Sequence, residues 1–110
     1  MKDEIKKSLI DIKVSIDSVF EYLQNADTLE KYQNNKLIRR AVEREIEIIG
    51  ESTNRILKIQ PDFNIENARK IVDTRNWVIH SYDNVDEIII WGVITTHLPK
   101  LRKEIEKLLQ

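Results

Sequence analysis

Within residues 74–83 an arginine, an amide, an imidazole and a phenol fall close together: Arg75, Asn76, His80 and Tyr82, in a chain with only two histidines. Read as the end of a helix, the spacing sets Asn76 and His80 one above the other at i,i+4, so the amide can hydrogen-bond one ring nitrogen and fix its tautomer. Arg75 lies about 140° round the helix from His80, yet its long stem lets the two heads converge. Asp83-Asn84 marks a turn, which can bring Tyr82 back toward the same place. A permanently charged phosphate fork then stands beside a group that titrates near neutral pH. That pairing suits cleavage of RNA by its own 2′-hydroxyl: the imidazole moves protons while the guanidinium neutralises charge gathering on phosphorus. An arginine and a histidine near a helix C-terminus can equally do no more than offset the macrodipole and satisfy the last carbonyls. Spacing and periodicity leave both readings open.

The elements that must hold these residues read as helices. Over residues 2–25, Ile5, Leu9, Ile12, Ile16, Val19, Phe20 and Leu23 recur at threes and fours, with Lys6, Lys7, Lys13, Asp17 and Glu21 on the other side. Asn25-Ala26-Asp27-Thr28 supplies a stop and the next cap. A second helix is expected over residues 29–59, with Ile38, Val42, Ile46, Ile49, Thr53 and Ile56 as its stripe and Gln60-Pro61-Asp62 as its end. Gly50 inside that helix costs about 1 kcal/mol relative to alanine, so it is expected to permit close approach by another helix. Glu51, Ser52 and Thr53 follow as a polar patch, either a plain helix crossing or a place for Glu51 to orient Arg75. Arg39, Arg40 and Arg44 form a basic cluster on the same helix, interleaved with Glu43, Glu45 and Glu47.

Asn64 is expected to cap a third helix with Ala68, Ile71, Val72, Val78 and Ile79 on its apolar side. Arg69 and Lys70, upstream of Arg75 on this helix, are a solvated face or a lead for a phosphate backbone. Asp86 should cap a fourth helix from Glu87 to about Thr96, apolar nearly all round and therefore covered on more than one side, most simply by a second copy of the chain. Pro99 should kink or break it. Leu101, Ile105, Leu108 and Leu109 then carry a last amphipathic stretch, and His97 reads as a cap or surface residue.

Composition narrows the class. One domain, residues 1–110, is expected, 41% apolar and 34% charged with two glycines and two prolines, a profile of long helices with solvated outer faces. The absence of cysteine removes disulfides and thiolate metal sites and points to the cytoplasm. The two histidines lack metal-ligand spacing, so no metal or other cofactor is expected. No apolar run is long enough for a membrane span. Eighteen basic against nineteen acidic side chains argue against general coating of nucleic acid, DNA included, so RNA must be met by a local patch.

Arg75-Asn76-x3-His80-x-Tyr82 resembles the Arg-x4-His-x-Tyr motif of the HEPN superfamily, specifically the HepT-like ribonuclease toxins. Glu47-Ile48-Ile49-Gly50-Glu51 resembles the family's Ile-Gly-Glu, and Val85-Asp86 with Trp91 and Leu98-Pro99 resembles its closing segment. The chain departs from the usual pattern at Trp77 and Ser81. The resemblance implies an all-α, up-and-down bundle of four to five helices acting as a homodimer with both active sites in one cleft. It implies a metal-independent endoribonuclease in which Arg75 holds the scissile phosphate, His80 is general acid or base, and Asn76 and Glu51 support them. Arg69, Lys70, Arg39 and Arg40 are the RNA-binding candidates. The implied partner is a minimal nucleotidyltransferase antitoxin, as in type VII-like toxin–antitoxin pairs, which attaches AMP to Tyr82. The alternative is a non-catalytic HEPN companion that binds nucleotide or presents substrate to a nucleotidyltransferase.

Overall fold

Two aliphatic stripes, one near each end of the chain, organise the core. In the computed structural model residues 1–65, 72–73 and 87–110 are described. Helix α1, Asp3–Tyr22, buries Ile5, Leu9, Ile12, Ile16 and Val19 on the expected face. Asp3 and Glu4 sit in its first turn, where negative charge meets the positive end of the helix dipole. A 3₁₀ turn, Leu23–Asn25, closes it.

The second helix is not continuous. It divides into α2, Leu29–Gln33, and α3, Lys36–Ile59. Thr28 caps α2 as expected, its hydroxyl accepting from the Lys31 amide at 3.2 Å. The unexpected break lies at Asn34-Asn35. Asn35 is extended, and its side-chain oxygen accepts from the Ile38 amide at 3.0 Å. Asparagine competes with the helical backbone for hydrogen bonds, so a second cap forms where a continuous helix would have run.

Helix α3 packs most extensively on α1. It buries Val42, Ile46, Ile49, Gly50, Thr53 and Ile56, while Ile38 is half-buried. It stops where Gln60 turns extended ahead of Pro61, as expected. Of the expected third helix and its cap, Asn64, Ile65, Val72 and Asp73 are described; Asn64 and the buried Ile65 are not helical, whereas Val72 and Asp73 are. The rest of that helix and the Asp86 cap lie outside the described residues.

The C-terminal rod departs from expectation in the opposite sense, by running on. Helix α4, Glu87–Gly92, passes into a π-helical stretch, Val93–His97, and then α5, Leu98–Leu108. Pro99 stands in the first turn of α5. A proline clashes with the carbonyl four residues back and cannot donate to it. The wider π turn immediately before Pro99 absorbs that conflict, and no break results. Ile90, Val93, Ile94, Leu98, Leu101 and Ile105 are buried along the rod, whereas Ile88 and Ile89 are 62% and 52% exposed. Ile88 and Ile89 thus lie on a side of α4 that is largely open to solvent, opposite the buried Ile90.

Helix α5 is fastened to α1 by Arg102. Its guanidinium lies 3.4 Å from the Asp17 carboxylate and 4.5 Å from the centre of the Phe20 ring. Among the described residues every regular element is helical, and no helix is long and apolar enough to cross a membrane.

Candidate active site

The described part of the candidate site is the outer face of α3. Arg40 pairs with Glu43 at 3.0 Å and Arg44 with Glu47 at 3.1 Å, the i,i+3 partners that a helix surface provides. Arg44 also reaches Glu51, at 3.9 Å. Glu51 closes this ladder beside Gly50, Ser52 and Thr53, all three of which are buried. The carboxylate of Glu51 is itself partly exposed, so it can be approached from solvent. Beneath the ladder the Ser52 hydroxyl accepts from Arg55 at 2.8 Å. The Thr53 hydroxyl is buried without a hydrogen-bond partner among the described residues.

The interleaved glutamates thus neutralise the basic cluster pair by pair. Arg40 and Arg44 remain well exposed. Arg39 does not: its side chain is 21% exposed, its Nε lies 3.7 Å from Glu87 at the start of α4, and a terminal nitrogen donates to the Gln33 carbonyl at the end of α2. Tyr32 of α2 is fully buried, its ring 5.4 Å from that of Trp91 and tilted by 41°. The Tyr32 hydroxyl has no partner among the described residues. Burial first, and the Glu43 carboxylate next, push this phenol far above its ordinary pKa; Arg39 opposes the shift and Glu87 adds to it.

This corner of Tyr32, Arg39, Glu43, Glu87 and Trp91 escapes sequence reasoning. The Arg40–Glu43 and Arg44–Glu47 pairs are legible from helical spacing. The Arg39–Glu87 pair joins distant stretches and leaves no periodic signal. Arg75, Asn76, His80 and Tyr82, together with Arg69 and Lys70, lie outside the described residues. Of the expected site, Glu51, Arg39 and Arg40 are in view, all three on α3. His97 is half-buried in the π stretch. Among the described residues no group of three or more histidine, aspartate or glutamate side chains could hold a metal ion.

Described residues whose regular elements are all helical, with a charged, partly neutralised face leading to an Ile-Gly-Glu step, have the architecture expected of a HEPN-like protein. The family model described as ribonuclease HepT-like matches residues 12–108. Two relatives agree over almost their whole lengths. The chain is 37% identical over 106 residues to a Methanocaldococcus jannaschii protein named "Putative RNase MJ1380", covering 96% of each chain. It is 30% identical over 112 residues to "Probable ribonuclease HepT" of Thermococcus cleftensis, covering 98% of each. No solved structure gives a significant match. The chain belongs to the HepT-like ribonuclease family.

Proposed function

We propose that this chain is a metal-independent endoribonuclease, an up-and-down helical bundle working as a homodimer in the cytoplasm and serving as the toxin of a toxin–antitoxin pair. The observation that carries this reading is the match to the ribonuclease HepT-like model over residues 12–108, a span that contains Arg75, His80 and Tyr82. In the reaction the 2′-oxygen attacks the neighbouring phosphorus and the 5′-oxygen leaves, giving a 2′,3′-cyclic phosphate. His80 acts on the transferred protons as general acid or base, with Asn76 fixing its tautomer. Arg75 holds the phosphate and offsets its growing negative charge. Glu51 orients Arg75 from α3. Arg40 on α3, with Arg69 and Lys70, guides the RNA backbone.

Control falls to Tyr82. A minimal nucleotidyltransferase partner joins AMP from ATP to its phenol oxygen, releasing pyrophosphate. The new phosphate then occupies Arg75 at high effective concentration and excludes the substrate.

The deciding experiment incubates total cellular RNA with purified wild type and with His80→Ala, in EDTA. Wild type is expected to cleave and to leave cyclic phosphate ends, while the variant loses about 10²–10⁴ in rate. Cleavage that stops with the chelator and returns with magnesium would overturn the mechanism. Intact mass after co-expression with a nucleotidyltransferase encoded alongside should show an AMP increment that Tyr82→Phe abolishes; an increment mapped elsewhere removes the switch.

A further inference from the structure

An open groove of about 410 Å³ lies between the end of α1 and the π stretch of the C-terminal rod. Leu23 and Ile94, both buried, line it, and so do the half-buried rings of Phe20 and Trp91. Each ring is held by a side chain that does not itself line the groove. The Arg102 guanidinium stands 4.5 Å from the centre of the Phe20 ring, and the Tyr32 ring lies 5.4 Å from that of Trp91. Thr95, at the edge, donates its hydroxyl to the Trp91 carbonyl at 2.9 Å, across the start of the π stretch. Widened turns of this kind recur at functional sites. Two rings fixed in advance need little ordering when a ligand arrives.

The polar edge of the groove is acidic. Asp27 is the one charged residue that lines it among the described residues, and Gln24 adds an amide. The hydrogen bond from Lys31, at 3.1 Å, lowers the Asp27 carboxyl below its ordinary pKa, so at neutral pH Asp27 is an acceptor only. A phosphate or a carboxylate is repelled at this edge. A flat ring with an amino donor is drawn to it.

We propose that the groove is a subsite for one unpaired nucleobase of the RNA substrate, its face against Phe20 and Trp91 and its amino edge toward Asp27 and Gln24. The identity of the strand rests on the ribonuclease reading. Single-stranded RNA is commonly recognised by stacking bases on aromatic side chains. The carboxylate adds a preference. Cytosine offers it the N4 amino group, and the Gln24 amide can donate to the neighbouring ring nitrogen. Uracil has nearly the same shape but places a carbonyl oxygen where the amino group was, and that oxygen meets the carboxylate unfavourably. The groove therefore favours amino-bearing bases over uracil.

The test uses end-labelled hexanucleotides of cytosine or of uracil, 2′-O-methylated so that no 2′-hydroxyl is free to attack, with binding to the full chain followed by fluorescence anisotropy. Wild type should bind the cytosine hexamer about five- to tenfold more tightly. Asp27→Asn changes an exposed side chain and should bring that ratio close to one, because an amide serves either base. Phe20→Leu should weaken both hexamers by about five- to a hundredfold. Leu37→Ser, on a side chain that is 80% exposed and lies outside the groove, should change neither.

Equal affinity of wild type for the two hexamers, or a ratio that Asp27→Asn does not move, overturns the subsite. So does Phe20→Leu if it changes the assembly mass by light scattering and leaves RNA binding intact, since the groove is then a protein contact. Free cytidine that binds as tightly as the hexamer likewise overturns it, by assigning the groove to a nucleoside instead of a strand. A wild type that cleaves no RNA, yet prefers cytosine and loses that preference in Asp27→Asn, removes the nuclease reading and leaves the subsite standing.

Discussion

The seam between α1 and α3 and the corner where α2, α3 and α4 meet are both buried, by different means. Ile5, Leu9, Ile12, Ile16 and Val19 line the seam from α1. The corner encloses a phenol, a carboxylate and most of a guanidinium in Tyr32, Glu43 and Arg39. Aliphatic burial has no preferred direction and scales with the area removed from water. Ion pairs and hydrogen bonds hold groups at set angles but return little net stability once desolvation is charged against them. The seam therefore supplies most of the stability, and the corner supplies placement.

That division is broken most directly at the seam. Ile16→Ala should destabilise by about 2–5 kcal/mol, the usual cost of emptying a filled aliphatic site, read as a fall in the urea midpoint. A cost below 1 kcal/mol would show that the seam is not the main source of stability. At a half-buried position between α1 and α3, Tyr22→Phe removes the hydroxyl that donates to Glu45 at 2.7 Å and should cost about 1 kcal/mol.

Gly92 sharpens the contrast from the other direction. It has right-handed helical dihedrals, and a Cβ built there meets no heavy atom within 4 Å among the described residues. Gly92→Ala should therefore raise stability by roughly 1 kcal/mol through reduced backbone entropy of the unfolded chain. A loss would place a second copy of the chain against this turn.

Tyr32→Phe probes the corner itself. It deletes a buried hydroxyl without a partner, so stability should hold or rise, by up to about 1 kcal/mol. The effect of pH has a definite sign. Burial raises the Tyr32 phenol, and the hydrogen bond to Glu45 chiefly raises that of Tyr22. Each neutral phenol thus contributes fully below about pH 10, the ordinary tyrosine value, and that contribution is lost as pH climbs above it. Denaturant midpoints should fall above about pH 10 and fall less steeply in Tyr32→Phe, where Tyr22 alone remains. An identical slope in the variant would mean that Tyr32 is not shielded from solvent. Asp17→Asn should have the smallest effect, below about 1 kcal/mol, because its carboxylate is 44% exposed and pairs with half-buried groups near the surface.

Legibility from sequence follows the range of each interaction. The α1 stripe, the Thr28 cap and the stop before Pro61 are local patterns, and the chain shows all three. The misread boundaries are also local, but each offered two outcomes. Asn34-Asn35 can sit within a helix or cap a new one, and the Asn35 side chain decided for the cap. Pro99 can break a helix or be accommodated by a wider turn before it, and the buried residues on both sides favour one unbroken rod. The small buried residues Gly50, Ser52 and Thr53 were legible because a glycine followed by small polar residues interrupts an aliphatic stripe. The Arg39–Glu87 pair was not, since charged residues are frequent here and nothing in their spacing ties α3 to α4.

The fastening of α5 to α1 bears on the order in which the molecule assembles. Arg102 and Asp17 are separated by 85 positions, and closing so long a loop costs chain entropy before any contact repays it. The α1–α3 pairing closes a shorter one and should appear earlier along the folding route. Arg102→Ala is then expected to speed unfolding while leaving the refolding rate almost unchanged. The C-terminal helices should therefore dock last, onto an α1–α3 pair whose core has already formed.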